Sequence, residues 1–256
     1  TYTPYYQSSG QQITDVVSLK AALAKSIDRF NFVYGIDAYQ DKLDSNQALY
    51  DSTTANNSGN LINKTYAKVG RYPGVEVSSI AGFVQADYAL TDDWSLEGGF
   101  RYQYITNDID DFIGYSQQKQ IAAGNGTSAD VVPGGKTDYS VGLFNLGTVY
   151  HLDKDSQIWA NFSQGFDLAD PAKYYGQGNY SLVGEHWTLD KSINVDKSKM
   201  SGIKTNSFEL GYRLDTGELN IQTAAYYSQS DKSVSYNKTT LLIDEIDDKK
   251  RVYGLE

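Results

Sequence analysis

The sequence predicts an all-β fold: a stretch of the wall of a large, transmembrane, antiparallel β-barrel. Three observations predict it. Apolar and polar residues alternate over short segments; Phe30, Phe32, Tyr34, Ile36 and Ala38 share one parity, while Arg29, Asn31 and Asp37 share the other. That period of two marks a strand with two different faces. Connections between such segments alternate between about four residues and about twenty to forty, which is unusual in a compact soluble domain and usual in an outer-membrane barrel, with its short periplasmic turns and long extracellular loops. Aromatic residues (Trp94, Tyr102, Tyr104, Trp159) stand near segment ends, as interfacial girdles require.

Composition fits. The 256 residues include no cysteine, one methionine and 22 tyrosines, with a formal net charge of −10. Without cysteine there is neither a disulfide scaffold nor a thiolate metal site. Tyrosine, with an apolar ring and a wet hydroxyl, suits strands, interface belts and ligand pockets. The negative charge argues against a nucleic-acid partner. No apolar run is long enough for a transmembrane helix, but barrel strands need only about 9–11 residues with one greasy face. The chain starts at Thr1 without a methionine or signal peptide and stops at Glu256 inside an apparent strand, so it reads as truncated at both ends.

Taken in order, Thr1–Thr14 is short and mixed. Val17, Leu19, Ala21 and Leu23 alternate with Ser18, Lys20 and Ala22; helix propensity competes here, and the turn and clear strand that follow favour strand. After the strand Phe30–Ala38, a polar segment near 41–77 reads as a long loop. Ser78–Leu90 and Trp94–Tyr104, joined through Thr91-Asp92-Asp93, form the cleanest hairpin. A second long loop near 107–137 precedes a strand over Asp138–Tyr150. A tight polar turn then leads into Gln157–Ser163, where Ile158, Ala160 and Phe162 oppose Gln157, Asn161 and Ser163, with Trp159 on the polar side. A third loop, near 165–204, precedes strands Asn206–Leu214 and Leu219–Gln229, turned at Asp215-Thr216-Gly217-Glu218. A fourth, near 230–249, leads to a last strand near Arg251. Roughly eight strands are expected.

Three segments, IWANFSQGF (Ile158–Phe166), SFELGYR (Ser207–Arg213) and RVYGLE (Arg251–Glu256), resemble the barrel signatures of TonB-dependent outer-membrane siderophore receptors. Loop segments match as well: Gly99–Asp130, Asp170–Gly178 (DPAKYYGQG), Lys191–Lys204, Gly70-Arg71-Tyr72-Pro73 and Asp231-Lys232-Ser233-Val234 resemble the ferric aerobactin branch of that family. The resemblance runs from about Phe30 onward. It implies a 22-stranded barrel in the bacterial outer membrane, filled by an N-terminal plug and energised through a TonB box. Neither plug nor TonB box is in this sequence. It also implies a receptor rather than an enzyme, importing a ferric siderophore of the hydroxamate–citrate (aerobactin) type. Iron would arrive already chelated, so no cofactor and no metal ligands are expected. Implied partners are the siderophore, the TonB complex, outer-membrane lipid, and bacteriocins or phage.

A polar, anionic chelate calls for Arg or Lys facing carboxylates and for aromatic contact area. The matching loops offer Arg71, Tyr72, Tyr115, Lys119, Lys173, Tyr174, Tyr175 and Tyr180 as siderophore-binding candidates. Solvated lysines and loop-packing tyrosines are the plainer alternative for each. His151 and His186 lie far apart, one in a turn and one in a loop, which does not suggest a catalytic or metal pair. Asp108, Asp110, Asp111 and Gly114 fail the EF-hand spacing and read as a solvated acidic loop. A passive porin, with the same strand code and an open lumen, is the first rival reading; a soluble β carbohydrate-binding module is the second.

Overall fold

The computed structural model describes residues 4–237 and 241–256; residues 238–240, within the fourth expected loop, lie outside the described residues. The elements in order are β1 (Tyr5–Ile27), β2 (Phe30–Asp51), α1 (Ser52–Asn57), β3 (Thr65–Gly70), β4 (Val75–Ala89), β5 (Trp94–Ile109), α2 (Tyr115–Ala122), β6 (Ser128–Ala129), β7 (Gly135–His151), β8 (Ser156–Asp167), α3 (Pro171–Tyr174), β9 (Gly178–Val183), β10 (His186–Ser192), β11 (Ile203–Asp215), β12 (Asn220–Ser230), β13 (Ser233–Asn237), β14 (Leu242–Ile246) and β15 (Arg251–Leu255). The wall is one antiparallel meander, β1-β2-β4-β5-β7-β8-β11-β12-β15, with β3 paired to the upper part of β2. It is a partial barrel and does not close. Among the described residues no helix is long and apolar enough to cross a membrane.

Registers place the alternating residues into two continuous faces. On the outer face Leu19, Ala38, Ile80, Tyr104 and Ser140 line up across β1, β2, β4, β5 and β7, as do Leu146, Phe162, Phe208 and Tyr227 across β7, β8, β11 and β12. Most of these side chains are open to the surroundings: Leu19, Ile36, Ile80, Phe100, Phe144, Leu146, Phe208 and Leu210 are all exposed. Such a sheet of exposed apolar groups is unstable in water and is what a lipid-facing wall requires. From Trp94 to Tyr104 the strand rises ~33 Å at ~3.3 Å per residue. Tilted by about 40°, it covers about 25 Å, the height of an outer-membrane apolar band. At the turn end the band is edged by Phe30, Tyr88, Trp94 and Tyr150; Trp94 and Tyr150 meet edge to face at 6.3 Å. Phe144, Phe162 and Phe208 form a ring-to-ring chain in the middle.

The inner face is polar at the same height. Arg101, Asp37, Gln103 and Ser79 form one hydrogen-bonded chain, and Asn145 donates to Gln85 beside it. Trp159 belongs to this face: its indole N–H donates to Glu209 at 2.6 Å and its ring lies over Gly211. It is therefore not part of the interfacial girdle, because its parity is that of Asn161 rather than that of Ile158.

Above the band the polarity reverses. Gln40, Glu76, Asp108 and Lys136 now occupy the outer side, with Gln40 bonded to Glu76 and Lys136 to Asp108. The inner side becomes apolar, and Leu43, Val75, Val77 and Ile109 pack against loop residues. This reversal explains why β2 runs on to Asp51 where the sequence suggests a loop from Asp41. The strand has left the membrane, so its outer residues turn polar, while its inner residues, such as Leu49, are buried under the loops. The loops are themselves structured. The third holds α3, capped by the Asp170 carboxylate on the Ala172 N–H, and the β9–β10 hairpin; β6, from the second loop, adds to that hairpin in parallel. Val75, Ile109, Ala172, Tyr175, Ile193, Val195 and Met200 form a core at the mouth of the wall.

Candidate functional site

Three loop segments meet on the inner side of this mouth. Arg71 and Tyr72 come from the link between β3 and β4, Gly114–Gln117 from the start of α2, and Gly176–Tyr180 from the end of the α3–β9 link and the start of β9. They enclose an open cavity of about 610 Å³, within the usual range for a small-ligand site. Its walls combine aromatic rings, amides and the Arg71 guanidinium.

Each wall is held by identifiable bonds. Arg71 is fixed to the sheet by its own N–H, which donates to the Ser45 carbonyl at 2.9 Å. Its guanidinium lies 4.8 Å from the Tyr115 ring centre and 5.5 Å from that of Tyr72. The phenols of Tyr72 and then Tyr115 push its pKa above the ordinary arginine value, so it stays charged. The start of α2 is clamped by Gln118, whose Oε1 accepts from the Gly70 N–H at 2.7 Å and whose Nε2 donates to the Ile113 carbonyl at 2.6 Å. The clamp brings Tyr115 beside Arg71. Tyr180 ties the two remaining loops together: its hydroxyl accepts from the Gly114 N–H at 3.2 Å and donates to the Asp130 carbonyl at 3.0 Å. Burial pushes its phenol pKa up, so it remains a donor. Gly176 has φ +77°, and a Cβ there would lie 2.9 Å from the ring of the buried Pro73. Only glycine fits that close crossing without strain.

Four of the eight sequence candidates line the cavity: Arg71, Tyr72, Tyr115 and Tyr180. Lys119 stands one helical turn beyond Tyr115, its ammonium 5.1 Å from the same ring and 5.9 Å from that of Tyr5. The other three lie elsewhere. Lys173 is exposed and paired with Asp170 at 3.2 Å. Tyr174 packs on the loop core, and Tyr175 is fully buried within it, donating to the Ser198 carbonyl and accepting from the Met200 N–H. Burial pushes the Tyr175 phenol up to about 12. Sequence reasoning missed Gln117, Gln177, Asn179 and the glycines that let them approach, although 176–178 fall inside the DPAKYYGQG motif. It also missed Gln47, whose Oε1 accepts from Arg71 at 3.4 Å and from the Tyr115 hydroxyl.

The remaining polar clusters have structural work. His186 bridges Ser128 and Asp130 at 2.8 and 2.9 Å, stitching β6 to β10. His151 sits at the opposite end of the wall, beside the Asp93 carbonyl. Asp111 accepts from the Gly134 N–H, and Asp108 pairs with Lys136. Among the described residues no group of three or more His, Cys, Asp or Glu is placed to hold a metal ion.

The profile of the family described as TonB dependent receptor-like, beta-barrel matches residues 1–256. The chain belongs to this family. It is 49% identical over 254 residues to the rhizobactin receptor of Rhizobium meliloti (strain 1021), covering 99% of this chain and 34% of that protein. It is 49% identical over 251 residues to the ferric aerobactin receptor of Klebsiella pneumoniae, covering 97% of this chain and 34% of that one. Among solved structures, the copper transporter OprC superposes with a TM-score of 0.66 at 11% identity, covering 97% of this chain and 35% of its own, which concerns the fold alone. The chain thus spans about a third of the length of the curated relatives it matches. Family membership places it in the outer membrane, in a receptor family rather than an enzyme family. It favours neither the porin nor the carbohydrate-binding reading.

Proposed function

We propose that the whole receptor imports a ferric siderophore across the outer membrane with energy delivered through TonB, and that the cavity between Arg71, Tyr115 and Tyr180 contributes to the siderophore-binding surface. One observation carries the reading. Two cations, Arg71 and Lys119, flank the Tyr115 ring at 4.8 and 5.1 Å, and neither forms an ion pair among the described residues. In a chain of net charge −10, two neighbouring cations left without acids repel one another and attract an anion.

The cargo that fits is an iron chelate of the hydroxamate–citrate type, with ferric aerobactin as the named candidate. Its carboxylates suit the guanidinium and ammonium, and its hydroxamate chelate offers flat surface to the tyrosines. The names of the two relatives support that class of cargo. Iron is cargo held by the chelator; the receptor needs no cofactor of its own. The lipid-facing wall would contact outer-membrane lipid, and bacteriocins or phage could dock on the same external loops.

Uptake of radioactive iron as ferric aerobactin is the test, in cells lacking other siderophore receptors and carrying the full-length protein. TonB-dependent uptake that is lost with Arg71→Ala and Lys119→Ala together supports the reading. Uptake of another chelate only would replace the cargo. TonB-independent uptake, with conductance in planar bilayers, would replace the mechanism by a passive pore.

A further inference from the structure

We infer that Gln47 sets the charge preference of the cavity: its neutral amide oxygen positions Arg71 and Tyr115 while leaving the positive charge of Arg71 uncompensated. The inference rests on the siderophore-binding reading above and deepens it.

Gln47 lies on the upper part of β2, opposite Val69 of β3, with the parity of the inner residues Leu43 and Leu49. Its Oε1 accepts from Arg71 Nη1 at 3.4 Å and from the Tyr115 hydroxyl. One acceptor therefore orients both the cation and the ring that the cation covers. The same strand performs the same task lower down with a carboxylate: Asp37 holds Arg101 by two bonds, at 2.5 and 2.8 Å. That arginine is neutralised and belongs to the wall. Glutamine and glutamate have the same shape, so geometry does not choose between them at position 47. Charge does. A carboxylate there would form a charge-assisted pair with Arg71 and cancel the field offered to an anionic ligand. An amide is a weaker acceptor and leaves that field in place. Arg71 is thus oriented but still charged, and the preferred ligand is an iron chelate bearing exposed carboxylates.

The test uses the full-length receptor in detergent, with Gln47→Glu and Gln47→Met, each checked for a heat-modifiable band to confirm folding. Ferric aerobactin affinity is measured at low and high salt. Gln47→Glu is expected to weaken binding by about tenfold or more and to flatten its salt dependence, because the Arg71 charge is then compensated. Gln47→Met removes the acceptor but keeps Arg71 charged; it should cost only about two- to fivefold and retain the salt dependence. Wild-type affinity in Gln47→Glu, or a loss in Gln47→Met equal to or greater than that in Gln47→Glu, would overturn the inference and leave the binding reading intact. A wild-type receptor that binds no ferric siderophore at all would remove the reading itself.

Discussion

Arg101 and Asp37 meet guanidinium to carboxylate on the inner face of the wall, across β4, which separates their own strands β5 and β2. The bond therefore staples three strands and continues through Gln103 to Ser79 on the intervening strand. Both side chains are mostly shielded, at 31% and 20% exposure. Removing one partner leaves the other partly buried and unpaired. Asp37→Ala in the full-length receptor should lower unfolding stability by about 1–3 kcal/mol. Denaturant unfolding in detergent micelles checks this, and an unchanged midpoint would contradict it.

Trp159 covers Gly211, its partner across β8 and β11, so closely that a Cβ at position 211 would fall 2.0 Å from the indole. Gly211→Val must expel the ring and break its bond to Glu209. A loss of about 1–3 kcal/mol is expected, together with a changed environment for Trp159. Fluorescence of a variant retaining only that tryptophan would reveal it; an unaltered emission maximum would argue against the packing.

Gly176 combines a left-handed backbone with close contact to Pro73. Gly176→Ala should strain the cavity wall by about 1–2 kcal/mol and weaken siderophore binding, while leaving the barrel's heat-modifiable migration unchanged. Full affinity in this variant would show that the wall does not shape the site.

Asp130 accepts from the Leu189 N–H and pairs with His186, and these bonds, the backbone one foremost, hold its carboxyl below the usual carboxylate range. A depressed folded pKa stabilises the β6–β9–β10 sheet above the unfolded value of about 3.9. That contribution is lost as pH falls through the folded value. The indole N–H of Trp187 donates to the Asn125 carbonyl beside this sheet and reports on it. Trp187 fluorescence should therefore show an acid transition below about pH 4. Asp130→Asn should remove the acid transition.

Much of the wall was legible because a lipid-facing strand must show apolar residues at every second position; Phe30–Ala38 and Trp94–Tyr104 do so on one parity, with Gly98 the single exception. The pattern failed where the surroundings changed. Above the membrane β2 has polar residues outside and loop-covered residues inside, so Asp41–Asp51 reads as loop although the ladder continues. Within the site, sequence could find charged and aromatic residue types but not their direction. Tyr174 and Tyr175 are neighbours of one type, and the core takes one completely. Gln47 carried no signal at all, since its role comes from a register that brings it under Arg71.

The most direct test is a titration of the full-length receptor with ferric aerobactin, iron-free aerobactin and a neutral ferric trihydroxamate, using wild type and Arg71→Ala. Saturable binding of ferric aerobactin alone is predicted, weakened by about tenfold or more in a folded Arg71→Ala variant. Equal affinity of wild type and Arg71→Ala for ferric aerobactin would contradict the assignment of this cavity as a binding surface.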